Sequence, residues 1–139
     1  MVADPPLKVL VVCLGNICRS PMGEAVLADV AVKRGIDIEV ASAGTAGYHV
    51  GEEPDERTVA TCKKHGVPIS HEAQQVSTSD FTKSATAEVR LWGSYLDNKP
   101  IPDPYYGGIR GFENVYDQCT RLSNAFLDEV TGNSAKSAL

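Results

Sequence analysis

Residues 7–21 decide the fold, and they read LKVLVVCLGNICRSP. The run from Leu7 to Cys13 is almost entirely aliphatic and β-branched, which is typical of a strand buried on both faces of a parallel sheet. A short loop follows, after which Ser20 offers an N-cap and Pro21 suits the first position of a helix. The stretch therefore predicts strand, loop and helix in immediate succession.

The next residues complete a crossover unit. The helix is predicted to run to about Arg34, because Gly35 is a natural C-terminal stop. A second strand is predicted from Ile38 to Ser42. Strand–helix–strand units of this kind are right-handed and join parallel strands. The sequence thus predicts a single α/β domain, with a parallel twisted sheet and helices on both faces.

The elements after the second strand are predicted from weaker sequence patterns, with the exception of the last helix. A second helix is predicted from Pro54 or Asp55 to about His65, with Val59 and Cys62 on its buried face. A short helix over 78–83 and a strand over 88–92 are also predicted, followed by a long loop over 96–110 that contains three prolines. The last helix is the clearest, because apolar residues recur every three or four positions; they are Phe112, Val115, Cys119, Leu122, Phe126 and Val130.

Composition excludes several classes of protein. The chain has 139 residues, a net charge of -5 and a pI of about 5.1. An acidic chain gains little from a nucleic-acid backbone or an anionic membrane, so neither is an expected partner. No apolar run is long enough to cross a bilayer, and no secretory signal is recognised. A cytoplasmic protein with its four cysteines reduced is expected.

The loop after the first strand has the features of an anion site. Its turning backbone can aim several N–H groups at one point, and the following helix N-terminus adds positive potential. Gly15 is expected to provide backbone angles that other residues resist. Arg19 adds a planar fork that matches two phosphate oxygens. The same groups favour the thiolate form of Cys13, which makes this cysteine a candidate nucleophile.

A plainer interpretation exists for each of these residues. Cys13 could be a buried strand-end cysteine and Arg19 a surface residue, but the strand before them and the helix after them favour the anion site. Phosphoryl transfer to sulfur also needs a proton donor for the leaving oxygen. Asp103, between Pro102 and Pro104, is the best candidate, although an aspartate before proline is common in turns.

Two motifs together resemble one known family. The segment CLGNICRSP at 13–21 and the segment DPYYG at 103–107 are similar to motifs of the low-molecular-weight protein tyrosine phosphatases, also called low-molecular-weight acid phosphatases. Further matches lie at 41–45, at 93–95 and in the final helix. The resemblance covers nearly the whole chain, apart from its two ends.

The resemblance implies a role for each matching residue. It makes Cys13 the nucleophile, Arg19 the phosphate-binding arginine and Asp103 the general acid. The rest of the phosphate-binding loop maps to Leu14, Gly15, Asn16, Ile17, Cys18 and Ser20. The hydrogen-bonding partners of Asn16 map to Ser20, Ser42 and His71. The walls of the substrate pocket map to Tyr48, His49, Tyr105 and Tyr106, and His49 holds a position that tunes substrate choice in the family.

The resemblance also implies a reaction and its partners. We expect a hydrolase that dephosphorylates phosphotyrosine proteins and small aryl phosphates through a phosphocysteine intermediate. Inorganic phosphate or another oxyanion is expected to bind in the loop. No metal or other cofactor is expected, and the protein is expected to be a monomer.

The remaining cysteines leave alternatives open. In the family, the second loop cysteine can form a reversible disulfide with the nucleophile, which would pair Cys13 with Cys18; Cys18 could instead be a small residue that packs under the loop. Cys62 and Cys119 are predicted to lie in the core. An arsenate reductase could use the same loop, but it needs resolving cysteines on a mobile segment, and neither of these two fits.

One stretch departs from the family. Between Phe81 and Ala87 the family carries about twenty more residues, which is enough for a strand and most of a helix. Either those residues belong to the protein and are absent from this sequence, or the chain is shortened, as in a splice variant. We favour the first explanation because every catalytic position is present. A shortened chain could be a phosphate-binding module with impaired catalysis. Gln74 also departs, at a position where a basic residue is common.

Overall fold

The computed structural model describes residues 7–76, 90–105 and 108–132. Its elements, in chain order, are strand β1, helix α1, strand β2, helix α2, one short 3-10 helix and helix α3. Their bounds are Leu7–Cys13, Arg19–Lys33, Ile38–Gly44, Glu56–Lys64, Trp92–Tyr95 and Ile109–Thr131. The predicted helix over 78–83, and the interval between 81 and 87 where family residues are absent, lie outside the described residues.

The two strands form a parallel pair. Their register runs from Leu7 opposite Ile38 to Cys13 opposite Gly44. An isolated parallel bridge between Gly44 and Gln75 brings a third segment to the same end of the sheet. The α/β class with parallel strands and helices is thereby confirmed, and the carboxyl end of β1, which bears Cys13, lies where ligands bind in open α/β folds.

Helix α1 is the centre of the packing. It contacts both strands, α2 and α3. Its buried residues, including Met22, Val26 and Leu27, pack with Phe112 and Leu127 of α3. Among the described elements, α1 is the only helix that packs directly on the strands. The opposite side of β1 is partly open, since Val12, which points away from α1, has an exposed fraction of 38%.

Two predicted helix starts have different outcomes. Helix α1 begins at Arg19 with Cys18 at the N-cap, so the prediction of Ser20 as N-cap was wrong. The hydroxyl of Ser20 is already bonded to the side chains of Asn16 and Cys13. The predicted start of α2 near Asp55 is confirmed, because Asp55 is its N-cap and the carboxylate accepts a hydrogen bond from the backbone N–H of Arg57.

Three other predictions need correction. In the described part of the predicted strand 88–92, no strand forms, and Trp92 instead opens the 3-10 helix. The buried face of α2 carries Thr58, Thr61 and Cys62, whereas Val59 is half-buried. Val130 is exposed because Leu127 takes the buried position in the last turns of α3. Within the described residues, no helix combines the length and the apolar character that crossing a bilayer would require.

Candidate active site

The sulfur of Cys13 lies at the end of β1 between two hydrogen-bonding groups. The backbone N–H of Asn16 donates to Sγ over 3.2 Å, and the Oγ atom of Ser20 lies 3.0 Å from Sγ. Ser20 Oγ also accepts a hydrogen bond from Asn16 Nδ2 over 2.7 Å, which leaves its own proton free to be donated to sulfur. Both groups stabilise negative charge on Cys13.

Asn16 is the residue that shapes the loop. It is fully buried and has a φ of 59°, in the left-handed region that asparagine tolerates better than most residues. Its Nδ2 donates to Ser20 and, over 3.0 Å, to Ser42. Its Oδ1 accepts from His71 Nε2 over 2.7 Å and from the backbone N–H of Gln74 over 2.9 Å. The structure therefore brings together the support residues that the resemblance implied, and adds Gln74.

Two glycines are explained by close approach to their neighbours. Gly15 does not have a left-handed backbone, contrary to the sequence-based expectation; the left-handed residue of the loop is Asn16. A Cβ atom on Gly15 would lie 3.0 Å from Cδ2 of His49. A Cβ atom on Gly44 would lie 2.7 Å from the carbonyl oxygen of Leu14. Gly44 has no room for a side chain and lies against the loop at the end of β2, whereas a side chain at Gly15 would require the His49 ring to shift.

Glu24 supports the loop from below and was missed in the sequence. Its Oε1 accepts a hydrogen bond from Ser42 Oγ over 2.6 Å and lies 3.3 Å from Nδ1 of His71. The Nε2 atom of His71 must carry a proton, because its partner on Asn16 is an amide oxygen that can only accept. The signal in the sequence was spacing: Glu24 lies four residues after Ser20, on the same face of α1.

Arg19 and Asp103 face each other across the site. Arg19 Nη1 donates to the carbonyl oxygen of Ile101 over 3.2 Å, and Nη2 lies 3.7 Å from Asp103 Oδ2. The other carboxyl oxygen of Asp103 accepts a hydrogen bond from the backbone N–H of Tyr105 over 3.0 Å. The loop that bears the predicted general acid is thus tied to the first residue of α1.

These residues border one cavity of about 340 Å³. Its lining includes loop residues 13–19 together with Tyr48, His49, Asp103 and Tyr105. The predicted wall residue Tyr106 lies outside the described residues. At the rim, Nδ1 of His49 lies 2.5 Å from a carboxyl oxygen of Glu52, a pairing that no sequence signal indicated. The ring of His49 is thereby held against Gly15.

The four cysteines differ in access. All are free thiols, and only Cys13 is more than slightly exposed. Burial, helped by the nearby Asp55 and Asp103 carboxylates, raises the pKa of Cys18 to about 12. Burial also raises the pKa of Cys62 to about 11 and that of Cys119 to about 12. The predicted core positions of Cys62 and Cys119 are confirmed, and Cys18 packs in the core beneath the loop.

An α/β domain whose first strand delivers a cysteine into such a loop has the architecture of the cysteine-dependent phosphatases. The family model described as low molecular weight phosphotyrosine protein phosphatase matches residues 8–85, which is more than half of the chain. The chain belongs to this family.

Individual relatives agree with the family match. The human low molecular weight phosphotyrosine protein phosphatase is 40% identical over 150 residues, covering 88% of this chain and 95% of the relative. The Schizosaccharomyces pombe protein of the same name is 38% identical over 151 residues, covering 89% of this chain and 97% of the relative. Among solved structures, one described as DARP, drosophila arginine phosphatase, has a TM-score of 0.83 and 35% identity, covering 89% of this chain and 98% of that one.

The alignment with the human relative also measures a difference in length. Since 88% of 139 residues is about 122, an alignment of 150 positions leaves about 28 positions where the relative has residues and this chain has none. The residues of the phosphate-binding loop and Asp103 lie outside this difference, since all of them are present in the sequence.

Proposed function

We propose that this protein hydrolyses phosphotyrosine in proteins, and small aryl phosphates, through a phosphocysteine intermediate. The observation that carries the proposal is the position of Cys13 Sγ. This sulfur accepts a hydrogen bond from the backbone N–H of Asn16 and lies beside Ser20 Oγ, in a cavity bordered by Arg19 and Asp103. Family membership supports the same chemistry.

In the first step, the thiolate of Cys13 attacks phosphorus and the bond to the phenol oxygen breaks. Asp103, as the carboxylic acid, gives its proton to that oxygen and becomes a carboxylate. Loop N–H groups and the guanidinium of Arg19 stabilise the charge on the equatorial oxygens. The products are a free phenol and a phosphocysteine.

In the second step, the Asp103 carboxylate takes a proton from water, which attacks phosphorus and breaks the bond to sulfur. Inorganic phosphate leaves and the carboxylic acid is restored. The Ser20 hydroxyl, 3.0 Å from Sγ, stabilises the departing thiolate. The remaining loop residues, Leu14, Gly15, Ile17 and Cys18, provide backbone to the phosphate site. The cycle balances without a metal or a redox cofactor.

The proposed substrate preference follows from the cavity walls. Tyr48 and Tyr105 line the cavity, and Tyr106 is assigned to the same wall by the family motif. Aromatic rings offer a flat apolar surface for a phenyl ring, whereas a phosphoserine chain would leave it uncovered. His49, held by Glu52, is the polar group of this rim.

The test is hydrolysis of phenyl phosphate in the presence of a metal chelator, on chain of verified length. Cys13→Ser should abolish turnover, because a hydroxyl in the same place is a far weaker nucleophile at neutral pH. Cys62→Ala is the matched control, since it removes a buried thiol that does not line the cavity; at a temperature where it stays folded, it should keep the wild-type rate. An unchanged rate in Cys13→Ser would refute the mechanism.

Three comparisons separate the alternatives. Because a solved relative is described as an arginine phosphatase, phosphoarginine and phosphotyrosine peptides should be compared directly; we expect the tyrosine peptide to be preferred. Arsenate-dependent oxidation of a thiol reductant would instead indicate an arsenate reductase, for which the buried Cys62 and Cys119 are poor resolving thiols. Binding of inorganic phosphate without turnover would indicate an impaired, phosphate-binding module.

We also propose a cytoplasmic, monomeric protein. Four free thiols suit a reducing compartment. The acidic net charge does not favour nucleic acid or anionic membranes as partners. Light scattering during gel filtration tests the oligomeric state, and a mass of twice 14.9 kDa would contradict the monomer.

A further inference from the structure

The N-terminus of α2 joins the two loops that the proposed reaction requires. The backbone N–H of Asp55 donates to the carbonyl oxygen of Ile17, in the phosphate-binding loop, over 2.8 Å. Two residues later, Arg57 Nη2 donates to the carbonyl oxygen of Tyr105, in the loop of Asp103, also over 2.8 Å. One helical turn therefore contacts both the nucleophile's loop and the acid's loop.

The guanidinium of Arg57 is held in place from several sides. Its Nε donates to Asp55 Oδ1 over 3.1 Å and its Nη2 to Asp55 Oδ2 over 3.2 Å. Its central carbon lies 4.5 Å from the ring centre of Phe112 and 5.6 Å from that of Tyr105. A planar guanidinium held by a two-point ion pair and by two aromatic rings has a fixed position, which the ammonium group of a lysine could not reproduce.

The Arg57 side chain is connected to the carboxyl group of Asp103 through the backbone of Tyr105. Tyr105 donates its backbone N–H to Asp103 Oδ1, and its carbonyl oxygen accepts from Arg57. The direction of the carboxyl therefore depends on where Arg57 holds the backbone of Tyr105. The same carboxyl also faces Arg19, whose Nη2 lies 3.7 Å from Asp103 Oδ2.

We propose that Arg57 is a positioning residue that aims Asp103 at the leaving oxygen. The inference rests on the proposed function of Asp103. It goes further by naming a residue that touches neither the phosphate site nor the reacting atoms.

The experiment uses the leaving group as the readout. Proton donation matters for a poor leaving group such as phenol and little for a good one such as 2,4-dinitrophenol. Arg57→Ala should lower kcat/KM by about tenfold or more with phenyl phosphate, and by less than about threefold with 2,4-dinitrophenyl phosphate. Inhibition by inorganic phosphate should be unchanged. Arg57→Lys keeps the charge and a long stem, so it should fold even if Arg57→Ala does not, and it should show the same selective loss.

Two further variants make the test specific. Arg121→Ala is the matched control, because Arg121 also forms an ion pair with an aspartate but lies on an exposed part of α3; it should retain wild-type kinetics. In the background of Asp103→Asn, Arg57→Ala should change kcat/KM by less than about twofold, since both act on the same proton transfer.

The outcomes distinguish this inference from the proposed function. If the wild-type protein hydrolyses no aryl phosphate, the proposed function fails. If the wild type is active and Asp103→Asn shows the selective loss, but Arg57→Ala and Arg57→Lys lower both substrates equally, Arg57 is merely structural. Full additivity of Arg57→Ala with Asp103→Asn would also overturn the assignment.

Discussion

Asn16 shows how one buried side chain sets the geometry of the nucleophile. A left-handed backbone costs a residue other than glycine roughly 1–2 kcal/mol. The side-chain amide of Asn16 donates two hydrogen bonds and accepts two, and these four bonds, each worth about 0.5–1.5 kcal/mol, offset that cost. Because one of these bonds occupies Ser20 Oγ, the serine proton remains free for the Cys13 sulfur. Asn16 is therefore linked to the sulfur of Cys13 by two successive hydrogen bonds, one to Ser20 and one from Ser20 to the sulfur.

The difference between the loop's two cysteines gives a prediction at this scale. Burial raises the pKa of Cys18 to about 12, so this thiol stays protonated at neutral pH and is a poor nucleophile. Iodoacetamide at pH 7 should therefore alkylate Cys13 and leave Cys18 unmodified, as read by peptide mass spectrometry. Inorganic phosphate should slow the reaction of Cys13, because both occupy the same loop. Equal labelling of Cys18 in the folded protein would contradict its burial.

Single residues also show what sequence could and could not predict. Cys13, Arg19 and Asp103 were predicted because their spacing and motifs are specific, and the structure places all three at one cavity. Glu24, Glu52 and Arg57 could not be predicted in the same way. Glu24 and Arg57 act through contacts with residues that are distant in the chain, and Glu52 through a pairing with His49 that no motif marks. An acidic or basic side chain on a helix or loop is ordinarily a solvated one.

At the scale of elements, Asp55 links helix stability to pH. Its carboxylate caps α2, and hydrogen bonds from the Arg57 side chain and backbone hold its pKa below the ordinary value. Stability from a carboxyl of lowered pKa is present above the unfolded pKa and is lost as pH falls through the folded value. Asp55→Ala should lower the free energy of unfolding by about 1 kcal/mol at pH 7, and by less at pH 3, as measured by urea denaturation.

Two variants control this experiment. Asp55→Asn keeps an N-cap that does not titrate, so it should retain most of the stability at pH 7. Asp117→Ala removes an exposed carboxylate of α3 and should change stability by less than about 0.5 kcal/mol at either pH. A deficit in Asp55→Ala that is equally large at both pH values would show that the cap does not act through its charge.

The elements themselves were predicted to different degrees. Strands and helices with a strong local signal were found close to their expected bounds: β1 at Leu7–Cys13, α2 at Glu56–Lys64 and α3 at Ile109–Thr131. The start of α1 was misplaced because Ser20 is a good N-cap in isolation, whereas in the folded loop its hydroxyl is bonded to the side chains of Asn16 and Cys13. N-cap preference alone does not show which of these partners the hydroxyl takes.

The whole molecule differs from its family most clearly in length. The alignment with the human relative leaves about 28 positions without a counterpart in this chain. The sequence of β1 predicts burial on both faces, yet the exposed fractions of Leu7 and Val12 are 43% and 38%. The aliphatic sequence of β1 shows that the strand tolerates burial on both faces. Whether a face is buried depends on which other elements pack against it.

The two faces of β1 should therefore contribute differently to stability. Val11 faces α1, since its Cγ1 would lie 3.2 Å from a Cβ atom on Gly23, while Val12 points to the opposite side. Val11→Thr places a hydroxyl against the packed face and should lower the free energy of unfolding by about 1–3 kcal/mol. Val12→Thr should change it by less than about 0.5 kcal/mol, because threonine suits an exposed strand position. Urea denaturation of both variants measures the difference, and equal losses would mean that the second face of the sheet is as well covered as the first.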